Sequence, residues 1–221
     1  MMKALYLAIF SATVLLSGCA DPGANKPRAR TGEPSASNTP SAATELPPGF
    51  APLGTELGFD PVNSKIEFTG SKVTGKHDGG FNSFRGAIDL VDNKPETSRV
   101  VFTIDMASVY TDDDSLTKHL KTGDFFQVDK FPTSTFVSTK IVPQTGLEAG
   151  NYSVTGELAM RGVKKTITFP AKVSVGTDAV LVNSEFTINR KDFGITYRGL
   201  ADDLIREDVV VKLTINATRN K

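Results

Sequence analysis

From residue 60 to residue 218 apolar side chains return at every second position, in segment after segment. Val100, Phe102 and Ile104 alternate with Val101, Thr103 and Asp105; Tyr152, Val154, Leu158 and Met160 alternate with Ser153, Thr155, Glu157 and Ala159. Near the carboxyl end Val209, Val211, Leu213 and Ile215 alternate with Val210, Lys212, Thr214 and Asn216. Successive side chains of a strand point to opposite faces, so each segment reads as half-buried. The pattern predicts strands over 62–73, 81–91, 98–109, 133–142, 151–160, 165–175, 179–190 and 207–218. Short loops with Gly, Asn, Asp or Pro separate them, as in an antiparallel meander. The expected fold class is all-β, an eight-stranded antiparallel barrel with an apolar interior, and a barrel of about eight strands is wide enough for one small ligand.

One or two short helices interrupt the strands. The clearer lies over 112–121, with Thr111 or Asp112 as cap, Asp113 and Asp114 at the positive end of the helix and Gly123 beyond its last turn. A second helical turn is expected over 200–206, around Asp202, Asp203 and Leu204. Between the first helix and the next strand, Phe125, Phe126 and Phe131 fall within seven residues, too much apolar surface to leave in water. They either plug the end of the barrel as core or form a lid whose rings touch a bound apolar chain.

The amino terminus is of a different kind. Met1, Met2 and Lys3 precede an apolar run from Ala4 to Leu16, and Leu16-Ser17-Gly18-Cys19 closes it: a charged start, a segment too short to span a bilayer, and small residues at a cut. The ending resembles a bacterial lipoprotein signal over residues 1–18, with Cys19 the lipidated residue and the membrane a partner through that anchor. Ala20, not aspartate, follows Cys19, which by resemblance to enteric sorting favours the outer membrane over the inner. Residues 19–58 hold seven of the twelve prolines among Ser, Thr, Ala and Gly, and are expected to be a disordered tether. The barrel domain is then 59–221.

Charge and candidate chemistry narrow the picture. The 25 basic and 25 acidic residues cancel, so no basic face points to nucleic acid. Cys19 is the sole cysteine, which leaves the barrel without thiol or disulfide chemistry. His77 and His119 have no second histidine or cysteine at ligand spacing, so no metal and no cofactor are expected. His77 reads as a solvated residue of a turn over 75–80, while His119, on the helix, either bridges it to the wall or meets a ligand head group. Glu207 and Asp208 read as solvated edge charges, and Arg190 and Asp192 as local pairing or capping groups.

A family likeness runs in order through the barrel region. Val62-Asn63-Ser64-Lys65-Ile66-Glu67-Phe68 with Gly80-Phe81 and Phe84-Arg85-Gly86 resembles the opening hairpin of the YceI-like family. So do His119 to Phe126, Phe131-Pro132-Thr133-Ser134-Thr135-Phe136, Gly156 to Lys165, and Arg190-Lys191-Asp192-Phe193-Gly194. The resemblance implies a lipocalin-like barrel exported to the periplasm, holding a polyisoprenoid or fatty-acid-like amphiphile without catalysis. One departure is Arg161, in Met160-Arg161-Gly162, where the family more usually has histidine.

The leading reading is a membrane-tethered periplasmic binding protein for a long-chain lipid. Its candidate ligand-binding residues are Phe68, Phe84, Ile88, Phe102, Ile104, His119, Phe125, Phe126, Phe136, Val154, Leu158, Ile167, Phe169, Phe186, Val211 and Leu213. A ligand-free structural or interaction module whose rings fill the barrel is the alternative, and a lipid-modifying enzyme using His119, Asp124 and Arg190 is a third. Exposed edge strands in an incompletely closed barrel would favour a homodimer.

Overall fold

The computed structural model describes residues 21–34, 53–146, 148–200 and 203–219, so the leader, Cys19 and the middle of the expected tether lie outside the described residues. A short strand, β1 (Arg30–Gly32), comes first. The barrel wall follows as staves, three of them bent. β2 (Thr55–Phe59) and β3 (Lys65–Lys72) make one, β4 (Gly75–Phe81) and β5 (Phe84–Leu90) the next, and β6 (Arg99–Asp105) and β7 (Val109–Thr111) the third. After helix α1 (Asp114–Leu120) come β8 (Thr133–Pro143), β9 (Asn151–Met160), β10 (Val163–Val175) and β11 (Ala179–Asn189). The small hairpin of β12 (Gly199–Leu200) and β13 (Asp203–Leu204) precedes the last stave, β14 (Asp208–Thr218).

Each stave pairs antiparallel with the next, and β14 closes the barrel by pairing with β3 from Val210↔Thr69 to Thr214↔Lys65 and with β2 at Thr218↔Gly58. The closed eight-stave antiparallel barrel is the architecture expected from the alternation, and it is lipocalin-like, as the family resemblance implies. Its two ends differ. α1, the loop after it, the β9–β10 turn and residues 190–200 and 203–207 cluster at one end, the lid end. There Val109, Leu120, Phe125 and Ile195 form a small core of their own beneath the lid.

Several local expectations differ from the structure. Residues 75–81 are a strand, not a turn, because β4 bonds to β3 on one side and β7 on the other, and a two-sided ladder overrides the low strand preference of glycine. Glycine is also required there: a Cβ on Gly79 would lie 2.7 Å from Cζ of Phe68. The helix begins at Asp114, capped by Asp113, whose carboxylate accepts from the Leu116 N–H at 2.8 Å. Asp112 is engaged elsewhere, accepting from the Asp78 N–H and pairing with His77 at 2.8 Å. The helical turn expected over 200–206 is instead the β12–β13 hairpin, with Ile205 bridging to Lys72 of β3.

The largest correction concerns the tether. Residues 53–58 carry Leu57 inward and belong to the wall, and residues 21–34 dock on the barrel as well. β10 and β11 pair only from Lys172↔Asn183 to Val175↔Val180. Beyond that the ladder stops at Pro170, which has no N–H to donate, and Ser184 Oγ caps the Pro170 carbonyl instead at 2.5 Å. The N-terminal segment fills the resulting gap. β1 pairs with β10 from Arg30↔Thr168 to Gly32↔Thr166, while Thr187 of β11 donates to the Pro27 carbonyl and accepts from the Ala29 N–H. Ala29 is only 5 % exposed and joins the main core. Arg28 pairs with Asp208 and Lys26 with Glu185, so Asp208 is not a free edge charge. Val210, on the outer face of β14, is buried beside Gly23 of this segment. Composition predicts disorder here because backbone pairing needs few apolar side chains.

Candidate ligand cavity

Inside the barrel two apolar voids lie one above the other. The upper, toward the lid, has a volume of about 90 Å³ and is lined by Phe68, Phe81, Ile104, Leu158, Phe186 and Val211 among others. The lower, of about 60 Å³, is lined by Phe59, Ile88, Val154, Val173, Val180 and Ile215 among others. Both linings include Phe102, Phe136, Phe169 and Leu213, which form a waist between them. The waist rings are in contact: Phe102 and Phe136 stack at 5.3 Å between centroids, Phe136 meets Phe169 at 5.7 Å, and Phe169 stacks on Phe186 at 4.4 Å.

An engineered cavity of about 150 Å³ admits a molecule of benzene. Each void is smaller than that, so a hydrocarbon tail fits only if waist rings move. Glycines in the wall give the rings a flat bed. A Cβ on Gly156 would lie 2.4 Å from Cζ of Phe136, and one on Gly86 would lie 2.1 Å from Cζ of Phe59. Flat against the wall, these rings keep open what volume there is along the axis.

Of the residues singled out from sequence, Phe68, Ile88, Phe102, Ile104, Phe136, Val154, Leu158, Ile167, Phe169, Phe186, Val211 and Leu213 line the voids. Phe84 is buried in the core but borders neither void. His119, Phe125 and Phe126 lie in the lid, away from both linings. Sequence reasoning missed Phe59, Phe81, Met106, Val173, Val175, Val180 and Val182. The valines were legible from the alternation within β10 and β11; Phe59 was hidden at the edge of the proline-rich stretch and Phe81 beside the glycine-rich one.

The lid is held by polar side chains that face away from the voids. His119 Nε2 and Asp124 Oδ2 are 2.8 Å apart, and the imidazole meets Phe125 and Tyr197 edge-on, each at 5.0 Å. Phe125 is thereby fixed as core under the lid, and Phe126 packs on Phe81 at 6.1 Å between the two cores. Arg161 stands at φ 52° in the β9–β10 turn, next to Gly162 at φ 75°. Its guanidinium donates to the Gly194 carbonyl at 2.7 Å and the Gly123 carbonyl at 2.8 Å, tying the loop after α1 to the 190–194 turn. Arg190 is buried and donates to the carbonyls of Arg206, Ile195 and Ile205. Burial pushes its guanidinium below the ordinary range, and Glu207 opposes the shift. Glu207 itself pairs with Lys191 and accepts from Asn189, and these bonds lower its carboxyl; it is not an unpartnered edge charge.

At the opposite end Asp89 is fully buried. Burial raises its carboxyl, yet the Leu53 and Gly54 N–H groups at 2.9 and 2.7 Å and the Arg99 guanidinium at 2.7 Å outweigh it and hold the group below the usual carboxylate range. The pair pins β2 to β5 and β6 beneath the lower void.

A YceI-like domain is matched over residues 58–217, most of the folded chain. The chain belongs to the YceI-like family. A UPF0312 protein of Pseudomonas putida is 34 % identical over 140 residues, covering 61 % of this chain and 71 % of that one. A UPF0312 protein of Pectobacterium carotovorum is 35 % identical over 124 residues, 53 % of this chain and 62 % of the relative. Among solved structures, Burkholderia cenocepacia BcnA superposes with a TM-score of 0.66 at 25 % identity, over 72 % of this chain and 99 % of that one. A polyisoprenoid binding domain from Saccharophagus degradans, implicated in plant cell wall breakdown, shares the fold with a TM-score of 0.60 at 19 % identity, over 74 % and 98 % of the two chains. This YceI-like barrel differs from the expected family turn by Arg161, whose bonds to two loops make it a structural clasp.

Proposed function

We propose that this protein is a membrane-tethered periplasmic binding protein for a long-chain amphiphile, a polyisoprenoid or fatty-acid-like lipid, and that it performs no catalysis. The observation that carries the reading is the pair of apolar voids stacked along the barrel axis and separated only by side chains of the waist. The polyisoprenoid binding domain of the same fold adds support for the ligand class. Each buried methylene contributes about 0.8 kcal/mol, so a long tail supplies affinity without a strong polar contact. The cost is displacement of Phe102, Phe136 or Phe169 from their stacks. The lipoprotein-like leader, with Cys19 as the anchor, supports a place on the periplasmic face of the envelope, at the outer rather than the inner membrane.

A second reading, a ligand-free packed module, is favoured by the ring column itself, since Phe102, Phe136, Phe169 and Phe186 touch in succession across the interior. Catalysis draws no comparable support. His119 and Asp124 bond to each other outside the voids, and Arg190 spends its donors on backbone carbonyls. Delipidated protein titrated with a fluorescent fatty acid and a fluorescent polyprenol separates the first two readings. Saturable one-to-one uptake of either probe is expected; uptake of neither leaves the packed module.

A further inference from the structure

We infer that the lid end of the barrel is a bilayer-docking surface, held against the membrane by the N-terminal segment; this rests on the proposed lipid anchor at Cys19. A disordered tether would let the barrel tumble. The segment that leaves the anchor is instead part of the wall, seated between β10 and β11 by main-chain bonds to Thr187 and by pairing with Thr166, Ile167 and Thr168. Its first described residue, Asp21, pairs with Arg206 at 3.3 Å, and Gly23 lies against Thr187 and Val210. Only Ala20 lies between Cys19 and Asp21, a reach of at most about 7 Å. Lipid chains on Cys19 therefore bring the end of the barrel that carries Arg206 to the membrane interface.

The rim around that point suits a lipid surface. Arg206 donates its N–H to the Ser71 carbonyl, and Ile205 bridges to Lys72, so the β3–β4 turn and the β12–β13 hairpin form one tip beside Asp21. That tip exposes Val73 at 56 % and Leu204 at 49 %, large apolar side chains in an otherwise polar neighbourhood. Arg198, exposed and bonded through its carbonyl to the Ile205 N–H, flanks it as a cation that anionic lipid headgroups attract, while Lys76 beside it is paired with Asp78 at 3.1 Å. Asp112 accepts from the Asp78 N–H and pairs with His77 on the same hairpin, and Asp113 and Asp114 open α1 beyond it, so the contact with the bilayer is carried by the apolar Val73–Leu204 pair rather than by charge. The upper void then faces the bilayer across the lid core of Val109, Leu120, Phe125 and Ile195, and a lipid tail that parts this core passes between membrane and barrel without crossing water.

The chain has no tryptophan, so single tryptophans report depth directly. The full chain carrying Leu204→Trp or Val73→Trp at the tip, or Val62→Trp in the bend between β2 and β3, the whole length of β3 away from the tip and 91 % exposed, is recovered from membranes and its mass recorded. It is then placed in phosphatidylethanolamine/phosphatidylglycerol vesicles with brominated acyl chains. Docking predicts loss of most emission from the tip tryptophans and unchanged emission from the one at 62. Equal quenching at the tip and at 62, quenching at neither, or quenching at 62 alone, in protein whose mass shows acylated Cys19, overturns the docking surface while leaving the anchor standing. A mass showing unmodified Cys19 overturns the anchor, and the docking with it.

Discussion

Phe136 is the residue whose removal most sharply separates a gated lipid cavity from a packed core. It is 2 % exposed, contacts Phe102 and Phe169, and rests on Gly156. Truncating a buried phenylalanine to alanine costs about 3–5 kcal/mol, which for Phe136→Ala includes both ring contacts, at about 1 kcal/mol each. The empty variant is therefore expected to unfold in urea with a free energy lower by about 4 kcal/mol. Its two voids become continuous. In the native protein an entering tail has to push the ring out of those two contacts; in the variant it does not. Affinity for a long-chain fatty acid should rise by about tenfold, which is about 1.4 kcal/mol. Ligand then restores more stability to Phe136→Ala than to the native protein at equal concentration. Denaturation curves with and without saturating ligand read both effects. An unchanged midpoint for the empty variant would show that the ring is not packed, and affinity that falls along with stability would refute the gated waist.

Four further outcomes follow from the same geometry. Asp89→Asn removes the buried charge that half-exposed Arg99 balances and should cost about 3 kcal/mol in chemical denaturation. Because the Asp89 carboxyl lies below its unfolded value, its contribution is complete above the ordinary carboxylate range and is lost as pH falls through it, so the native protein should lose stability on acidification more steeply than Asp89→Asn. Gly156→Ala sets a methyl against the Phe136 ring and, at 2.6 Å, against the Val137 carbonyl, and should destabilise by about 1–3 kcal/mol; shrinking that ring to leucine should restore only part of the loss, because the carbonyl contact remains. Arg161→Ala frees the loop after α1 from the 190–194 turn; faster uptake and release of a fluorescent probe are expected in stopped flow, with equilibrium affinity little altered. Removing residues 21–34 should leave the Thr187 amide without its acceptor and raise its hydrogen exchange, while amides of β9 paired with β8 keep their protection.

Much of the barrel was written in its period-two alternation. Val154, Phe169, Val211 and Leu213 face inward as their spacing requires, because a closed wall turns every second residue toward the axis. What the alternation could not carry was structure made by the backbone. The segment 21–34 docks through peptide groups and buries one small side chain, Ala29, so its Pro- and Gly-containing composition gave no sign of it. β4 is held by ladders on both sides in spite of Gly79 and Gly80, which are there to make room for Phe68 and Tyr110. The waist was equally hidden. Periodicity shows that Phe102, Phe136 and Phe169 point inward, but whether inward rings meet or leave a channel depends on the barrel's width and on which glycines lie beneath them. His119 shows the converse: a lone histidine near a cavity mouth is fixed by Asp124, Phe125 and Tyr197 in the lid, and turned away from the voids.

Native mass spectrometry of the full chain, isolated from its source cells in mild detergent, reads directly whether a hydrocarbon tail occupies the barrel axis. One long-chain amphiphile per barrel is predicted, released as the protein unfolds and displaced by added fatty acid. A protein that flies at its bare covalent mass, and remains so after incubation with isoprenoid and fatty-acid extracts, would contradict it.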